Sequence, residues 1–283
     1  MDTTTRQVVR TIEPQPVVEG AGVRLKRSIA GAALDYLDPF LLFDHFGSDR
    51  PGDYLPGFPM HPHRGIETVT YMLAGAVTHR DSLGNAGTIG AGDVQWMTAG
   101  RGIMHEEMPQ PVDGRMAGFQ LWVNLPARLK MTKPRYQEIR SAALPEVRRD
   151  DGAVVRVIAG SVGAVRGPVT DIFAEPAYLD VTLPAAASFE QPVARGHNAF
   201  ACVFEGGGTF GDGTAALGSP KMVVLGDGDV VRAQAGANGL RFLLVSGAPL
   251  GEPIARYGPF VMNTREEILQ ALADLHDGTF VQP

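Results

Sequence analysis

The chain has one cysteine, Cys202, in 283 residues. A single thiol cannot close an intrachain disulfide or build a thiolate zinc site. Any metal must then be held by nitrogen and oxygen. No apolar run reaches the roughly 18 residues of a membrane-spanning helix, so no membrane segment is expected. The opening Met1-Asp-Thr-Thr-Thr-Arg6 lacks the apolar stretch of a signal peptide, and the expected compartment is the cytoplasm. An excess of one charge is also missing. Twenty-five Lys and Arg stand against 31 Asp and Glu, a net charge of −6, which gives no electrostatic reason to bind nucleic acid directly.

What the chain has in excess is turn residues. With 35 Gly and 21 Pro, punctuation is about a fifth of the sequence, against an average nearer 12%. Each interior Gly costs a helix about 1 kcal/mol and each Pro about 3, which excludes an all-helical protein. Collagen's glycine period is absent, and a hydrophobic content of 44% excludes wholesale disorder. The length suggests about two domains.

Short β-type segments fill most of the chain. Glu67–Ala74 is rich in β-branched residues, and Phe119–Asn124 alternates apolar and polar residues. Further runs are Val154–Ile158, Tyr178–Leu183, Ala199–Phe204 and Leu240–Val245. Many short strands bounded by Gly, Pro, Asn or Asp predict an all-β sandwich or barrel. Pro126–Met131 reads as a helical turn. Thr264–His276 reads as an amphipathic helix, with Thr264 and Glu267 at capping-box spacing and Ile268, Leu269, Leu272 and Leu275 on one face.

A weak internal repeat is visible. A strand ending at Gly75, a turn over 81–87 and Gly90-Ala-Gly-Asp-Val94 are echoed by a strand ending at Gly206, a turn over 211–213 and Gly226-Asp-Gly-Asp-Val230. Two barrels in tandem account for it, divided within 140–151: residues 1–140, then 141–283 carrying the helix.

Candidate ligands cluster in the first half. His61-Pro-His63 places two imidazoles two residues apart, and an extended chain sends both to one face. By the same rule His105 and Glu107 share a face. Three imidazoles and a carboxylate suit a divalent first-row metal. Gly206-Gly-Gly-Thr-Phe-Gly211 fits a dinucleotide fingerprint, but the broken Asp-Gly-Thr-Ala-Ala-Leu-Gly-Ser-Pro stretch after it cannot supply the required helix. Cys202 lies in an apolar strand and reads as a buried small hydrophobe. His45, His79, His197 and His276 read as surface or satisfied residues.

Gly57-Phe-Pro-Met-His61-Pro-His63-Arg-Gly-Ile-Glu67 with Gly75 resembles the first motif of the cupin superfamily, and Gly92–His105 resembles the second. The departures from the general motifs match one branch. His61–Val69, Gly92–Pro109, Leu121–Leu125 and Gly258–Thr264 together resemble the pirin family over almost the whole chain. That resemblance implies two cupin (jelly-roll-like) β-barrels, with one metal ion, usually iron, in the first. It carries the ligand roles onto His61, His63, His105 and Glu107. Glu67, the acidic ligand of cupins at large, becomes a supporting or structural group. The repeat places Pro192, Ala194, Arg241 and Leu243 at the four ligand positions of the second barrel, so that barrel is expected to be metal-free.

The resemblance further implies an iron-dependent quercetin 2,3-dioxygenase. Its substrates are a flavonol and O2, and it opens the heterocycle with release of carbon monoxide. Glu107 is the candidate general base on the flavonol hydroxyl as well as a ligand. The alternative it implies is a redox- or metal-sensing regulator acting through a protein partner. Fe(II) is the expected ion, although the donor set also suits Mn, Co, Ni, Cu or Zn. Trp96, Phe119 and Trp122 are candidates for an aromatic wall, with core packing as the simpler assignment. Pirins imply a monomer.

Overall fold

The computed structural model describes residues 3–110, 114–213 and 215–282. The protein is all-β with a single α-helix among these residues, and no helix is long and apolar enough to cross a membrane. It divides into two compact units. One comprises Gln15–Ser141 with Leu250–Pro283, the other Met1–Pro14 with Ala142–Pro249. The division into 1–140 and 141–283 is therefore corrected at both ends. Val8–Ile12 pairs antiparallel with Lys221–Leu225, which ties the amino-terminal stretch to the later unit. The carboxy-terminal helix belongs with the earlier one.

In the unit built on Gln15–Ser141, a seven-stranded antiparallel sheet runs in the spatial order Arg135–Ile139, Val94–Thr98, Ile66–Ala74, Met116–Asn124, Phe40–Ser48, Val23–Ile29, Gln15–Glu19. A four-stranded sheet has the order Phe58–His63, Ile103–Gln110, Ala76–Asp81, Ala86–Ile89. Ile66–Ala74 is central and buried on both faces as far as Met72, which explains its nearly continuous run of apolar and β-branched residues. Ile103–Gln110 alternates instead: residues 103, 105, 107 and 109 are buried and those between are half-exposed. Leu41, Ile66, Met97, Ala99, Ile103 and Val261 form one apolar cluster.

Val261 comes from the carboxy-terminal segment, which is stitched into this unit. The backbone N–H of Val261 donates to the Arg64 carbonyl at 3.1 Å. The buried Lys130 ammonium donates to the Gly65 and Val261 carbonyls, each at 2.9 Å, and to Asn124 Oδ1 at 2.7 Å. Arg64, 1% exposed, pairs with Asp274 at 2.6 Å and lies 4.5 Å over the Phe280 ring. The helix Arg265–His276 has both halves of the predicted capping box. Its buried face is narrower than predicted. Ile268 and Ala271 are buried, whereas Leu269 is 54% exposed. Positions 268, 271 and 272 follow the i, i+3, i+4 rule, and 269 lies a step of about 100° away.

The other unit is a nine-stranded sheet dominated by two long strands, Asn198–Phe210 and Val230–Gly247. The first was expected to stop at Gly206. It continues because the register shifts between Val203 and Glu205 and again between Gly206 and Gly208. Gly206, at φ +66°, thus marks an irregularity inside a strand, not its end. Of the fingerprint-like glycines, Gly206 and Gly208 lie within that strand and Gly211 follows its end. Phe189 and Phe210 meet Phe242 edge-on, with ring centroids 5.6 and 5.1 Å away, in the core of this unit. Cys202 is buried in the same strand.

Candidate metal centre

His61 and His63 lie on Phe58–His63, and His105 lies on the neighbouring Ile103–Gln110. The strands pair antiparallel with His105 opposite His61 and Ile103 opposite His63. Two-residue periodicity then directs all three imidazoles to one face. Ring centroids are 4.3 Å apart for His61 and His105, 4.9 Å for His61 and His63, and 5.0 Å for His63 and His105. One ring nitrogen from each lies within 4.8 Å of the others.

The hydrogen bonds fix which nitrogens face the centre. His61 Nδ1 lies 2.9 Å from the Pro59 carbonyl, and His63 Nδ1 lies 3.3 Å from the Pro259 carbonyl. A carbonyl only accepts, so both Nδ1 atoms carry the proton. The two Nε2 lone pairs are left facing each other at 3.1 Å. That contact is repulsive unless a proton or a metal ion sits between them. An ion with bonds of about 2.1 Å holds adjacent nitrogens about 3 Å apart. His105 is 0% exposed, and neither of its ring nitrogens has a hydrogen-bond partner among the described residues. Such an imidazole is costly without a ligand role.

Burial, and secondarily His61, pushes His63 down to about 3. Burial and the neighbouring imidazoles drive His105 well below the ordinary histidine value. Both rings are therefore neutral, the form that binds a metal. The donor set fits a metal ion, and its softness favours a first-row transition metal over Ca or Mg.

Glu107 points to the same side as His105 but does not belong to the group of three. Its Oε1 accepts a hydrogen bond from the Thr70 hydroxyl at 2.9 Å, and the Gln120 amide lies 2.8 Å from the same hydroxyl. Glu67 is fully buried and accepts from the Thr98 hydroxyl at 2.7 Å, and it too lies outside the group of three histidines.

His79 supplies a fourth imidazole that pattern reading left aside. It is fully buried, with its ring centroid 5.3 Å from that of His105 and 4.7 Å from the stacked ring of Tyr136. Its Nδ1 lies 3.1 Å from Gln95 Nε2, and its Nε2 lies 3.5 Å from Asp81 Oδ2. The two-residue spacing of His79 and Asp81 was visible. Their pairing opposite Glu107 and His105 was not.

A cavity of about 580 Å³ opens over His61, His63 and Glu107. Phe46, Tyr54, Phe58 and Trp122 supply its aromatic lining, and Glu19, Arg27, Asp44 and Arg256 are its charged wall. Of the three proposed wall residues only Trp122 faces the cavity, meeting His63 edge-on at 4.9 Å. Trp96 and Phe119 are fully buried in the core. This size and lining match small-molecule sites.

Two family models match the chain. One described as Pirin covers residues 22–123, and one described as Pirin C-terminal cupin domain covers 178–281. A pirin-like protein of Caulobacter vibrioides is 48% identical over 97% of this chain and 99% of its own length. Human pirin is 41% identical over 96% of this chain and 93% of its own. A crystal structure of quercetin 2,3-dioxygenase from Acinetobacter baumannii superposes with a TM-score of 0.89 at 36% identity, covering 98% of this chain and 99% of that one.

Proposed function

The chain belongs to the pirin family of two-domain cupins, and from that premise we propose that it is a metal-dependent dioxygenase that opens the heterocycle of flavonols such as quercetin with O2. The observation that carries the reading is the set of three converging imidazoles, His105 among them with no hydrogen-bond partner among the described residues, beside an aromatic-lined cavity. The similarity to the Acinetobacter baumannii quercetin 2,3-dioxygenase supports the same reaction class.

His61, His63 and His105 hold one divalent ion, Fe(II), and Glu107 completes the donor set. Such an ion supplies Lewis acidity and open coordination positions when bound. The protein's own groups do the rest. The Pro59 and Pro259 carbonyls fix the imidazole tautomers. Phe46, Phe58 and Trp122 flank the flat rings of the substrate and exclude water. Glu107 takes the proton of the flavonol hydroxyl, and the Thr70 hydroxyl holds that carboxylate in position.

The test is aerobic incubation of iron-loaded protein with quercetin, followed by the loss of flavonol absorbance and the release of carbon monoxide. The expected result is turnover that His61→Ala abolishes. Absorbance loss no faster than in the His61→Ala protein overturns the reading.

A further inference from the structure

Two guanidinium groups face the cavity, and they differ in their partners. Arg27 is fully engaged. Its Nε and Nη2 donate to the two Asp44 oxygens at 2.8 and 2.7 Å, and its Nη1 donates to Glu19 at 2.7 Å. Arg256, on the strand Ala255–Tyr257, forms no ion pair among the described residues. Its Nη1 donates to the Leu41 carbonyl at 3.3 Å, and its guanidinium lies 5.2 Å from the ring centre of Trp122. Trp122 in turn contacts His63. His63, Trp122 and Arg256 thus form one continuous wall with the candidate metal ligands at one end and, at the other, a cation that has no ion pair among the described residues. Burial, followed by the nearby Arg27, pulls the Arg256 guanidinium below its ordinary range, and Asp35, Glu19 and Asp44 oppose that shift less strongly. The other cavity walls are largely apolar and aromatic, the Glu19 and Asp44 carboxylates are held by Arg27, and the candidate metal centre at His61 and His63 is a competing place for an anion.

We propose that Arg256 binds an oxyanion of the substrate, a carboxylate or ionised phenol, at the Trp122 end of the cavity, so that the site selects planar aromatic anions over neutral aromatics. A guanidinium stacked on an indole keeps its N–H groups free in the ring plane for such an acceptor. The proposal deepens the dioxygenase reading by naming its substrate class, and it rests on that reading only for the reaction that follows binding.

The experiment measures binding alone, by calorimetry, on zinc-loaded and chelator-stripped protein. The probes are 6-hydroxy-2-naphthoate and its neutral carboxamide. The wild-type protein is expected to prefer the naphthoate about tenfold in both states, as befits a partly exposed charge pair. Arg256→Gln should reduce that preference to about twofold or less while leaving carboxamide affinity unchanged. Arg256→Lys should retain part of it, and all three proteins should share one thermal midpoint. Equal affinity of the wild type for both probes overturns the proposal. So does a preference that survives Arg256→Gln, which would place the anion on the metal or the histidines, or an equal loss of both probes, which would make Arg256 structural. A charge preference that holds while quercetin is not oxidised sinks the dioxygenase reading and leaves this one standing.

Discussion

His63 Nδ1 and the carbonyl of Pro259 lie 3.3 Å apart although 196 residues separate them. The proton on that nitrogen, and so the lone pair directed at the candidate metal centre, is set by a segment near the end of the chain. The same segment meets the residues just after His63. Val261 bonds to Arg64, and the Lys130 ammonium joins the Gly65 and Val261 carbonyls. Groups that orient a ligating histidine tune its basicity and direction as much as the ligand itself does.

Gly65 is the position where this contact can be broken without touching a ligand. Its φ is +81°, and a Cβ there would overlap the Val261 carbonyl oxygen. Gly65→Ala should cost about 2–4 kcal/mol of stability. It should also weaken metal binding by about 10- to 100-fold through the displaced Pro259 carbonyl. Thermal unfolding and competition with a chromophoric chelator give the two quantities. A destabilised variant with undiminished metal affinity would separate the carboxy-terminal segment from the site.

Glu107→Gln tests the carboxylate separately. Three imidazoles converge without it, so the variant should keep close to one ion per chain by metal analysis. Removing the proton acceptor should lower kcat about 10²- to 10⁴-fold with little change in KM. Loss of the ion instead would make Glu107 an indispensable ligand and remove the case for a separate base role.

His45 gives a pH dependence away from the metal. It stacks on Phe119 at 4.7 Å, and burial, with Lys26 as the second cause, pushes it down to about 4. A histidine depressed in the folded state stabilises fully above its unfolded value near 6.5, and that stability is lost as pH falls from there toward 4. His63 and His105 are shifted in the same direction. His45→Gln should therefore remove only part of the acid sensitivity, about 1–2 kcal/mol of the fall between pH 7 and pH 4.5. Urea midpoints at those two pH values measure it, and an unchanged slope would show that His45 titrates outside this window.

Local pattern made the centre legible and left its surroundings hidden. His61-Pro-His63 and His105–Glu107 follow from two-residue periodicity, and the structure places each pair on one face. The capping box at Thr264 is a four-residue signal and forms as read. What escaped depends on partners far along the chain. Arg256 and Pro259 reach the cavity from the last strands, and His79 gains its place only through pairing with Glu107. The assignment of both termini rests on the pairing of Val8–Ile12 with Lys221–Leu225 and on Val261 docking beside Arg64. Backbone pairing across about 200 residues leaves no periodicity in either partner. The exposed Leu269 is a smaller case, since the actual stripe uses Ala271, whose weak hydrophobicity hid it.

Cys202 makes the unit that contains it observable by itself. It is the chain's one thiol, 1% exposed on the strand Asn198–Phe210, and burial alone pushes it up to about 12. At pH 8 its thiolate fraction in the folded state is then about 10⁻⁴. A disulfide reagent such as dithionitrobenzoate should find no reactive thiol in the native protein. In rising urea its reaction should follow opening of the strand pair Asn198–Phe210 and Val230–Gly247. The candidate metal ligands lie in the other unit, so a metal-dependent unfolding signal reports on that unit. Adding the ion should raise the urea midpoint of that signal by the usual ligand linkage. If the two units unfold independently, the thiol midpoint should stay where it was. If they unfold as one, both midpoints should move together. Rapid modification in the absence of urea would contradict the burial of Cys202.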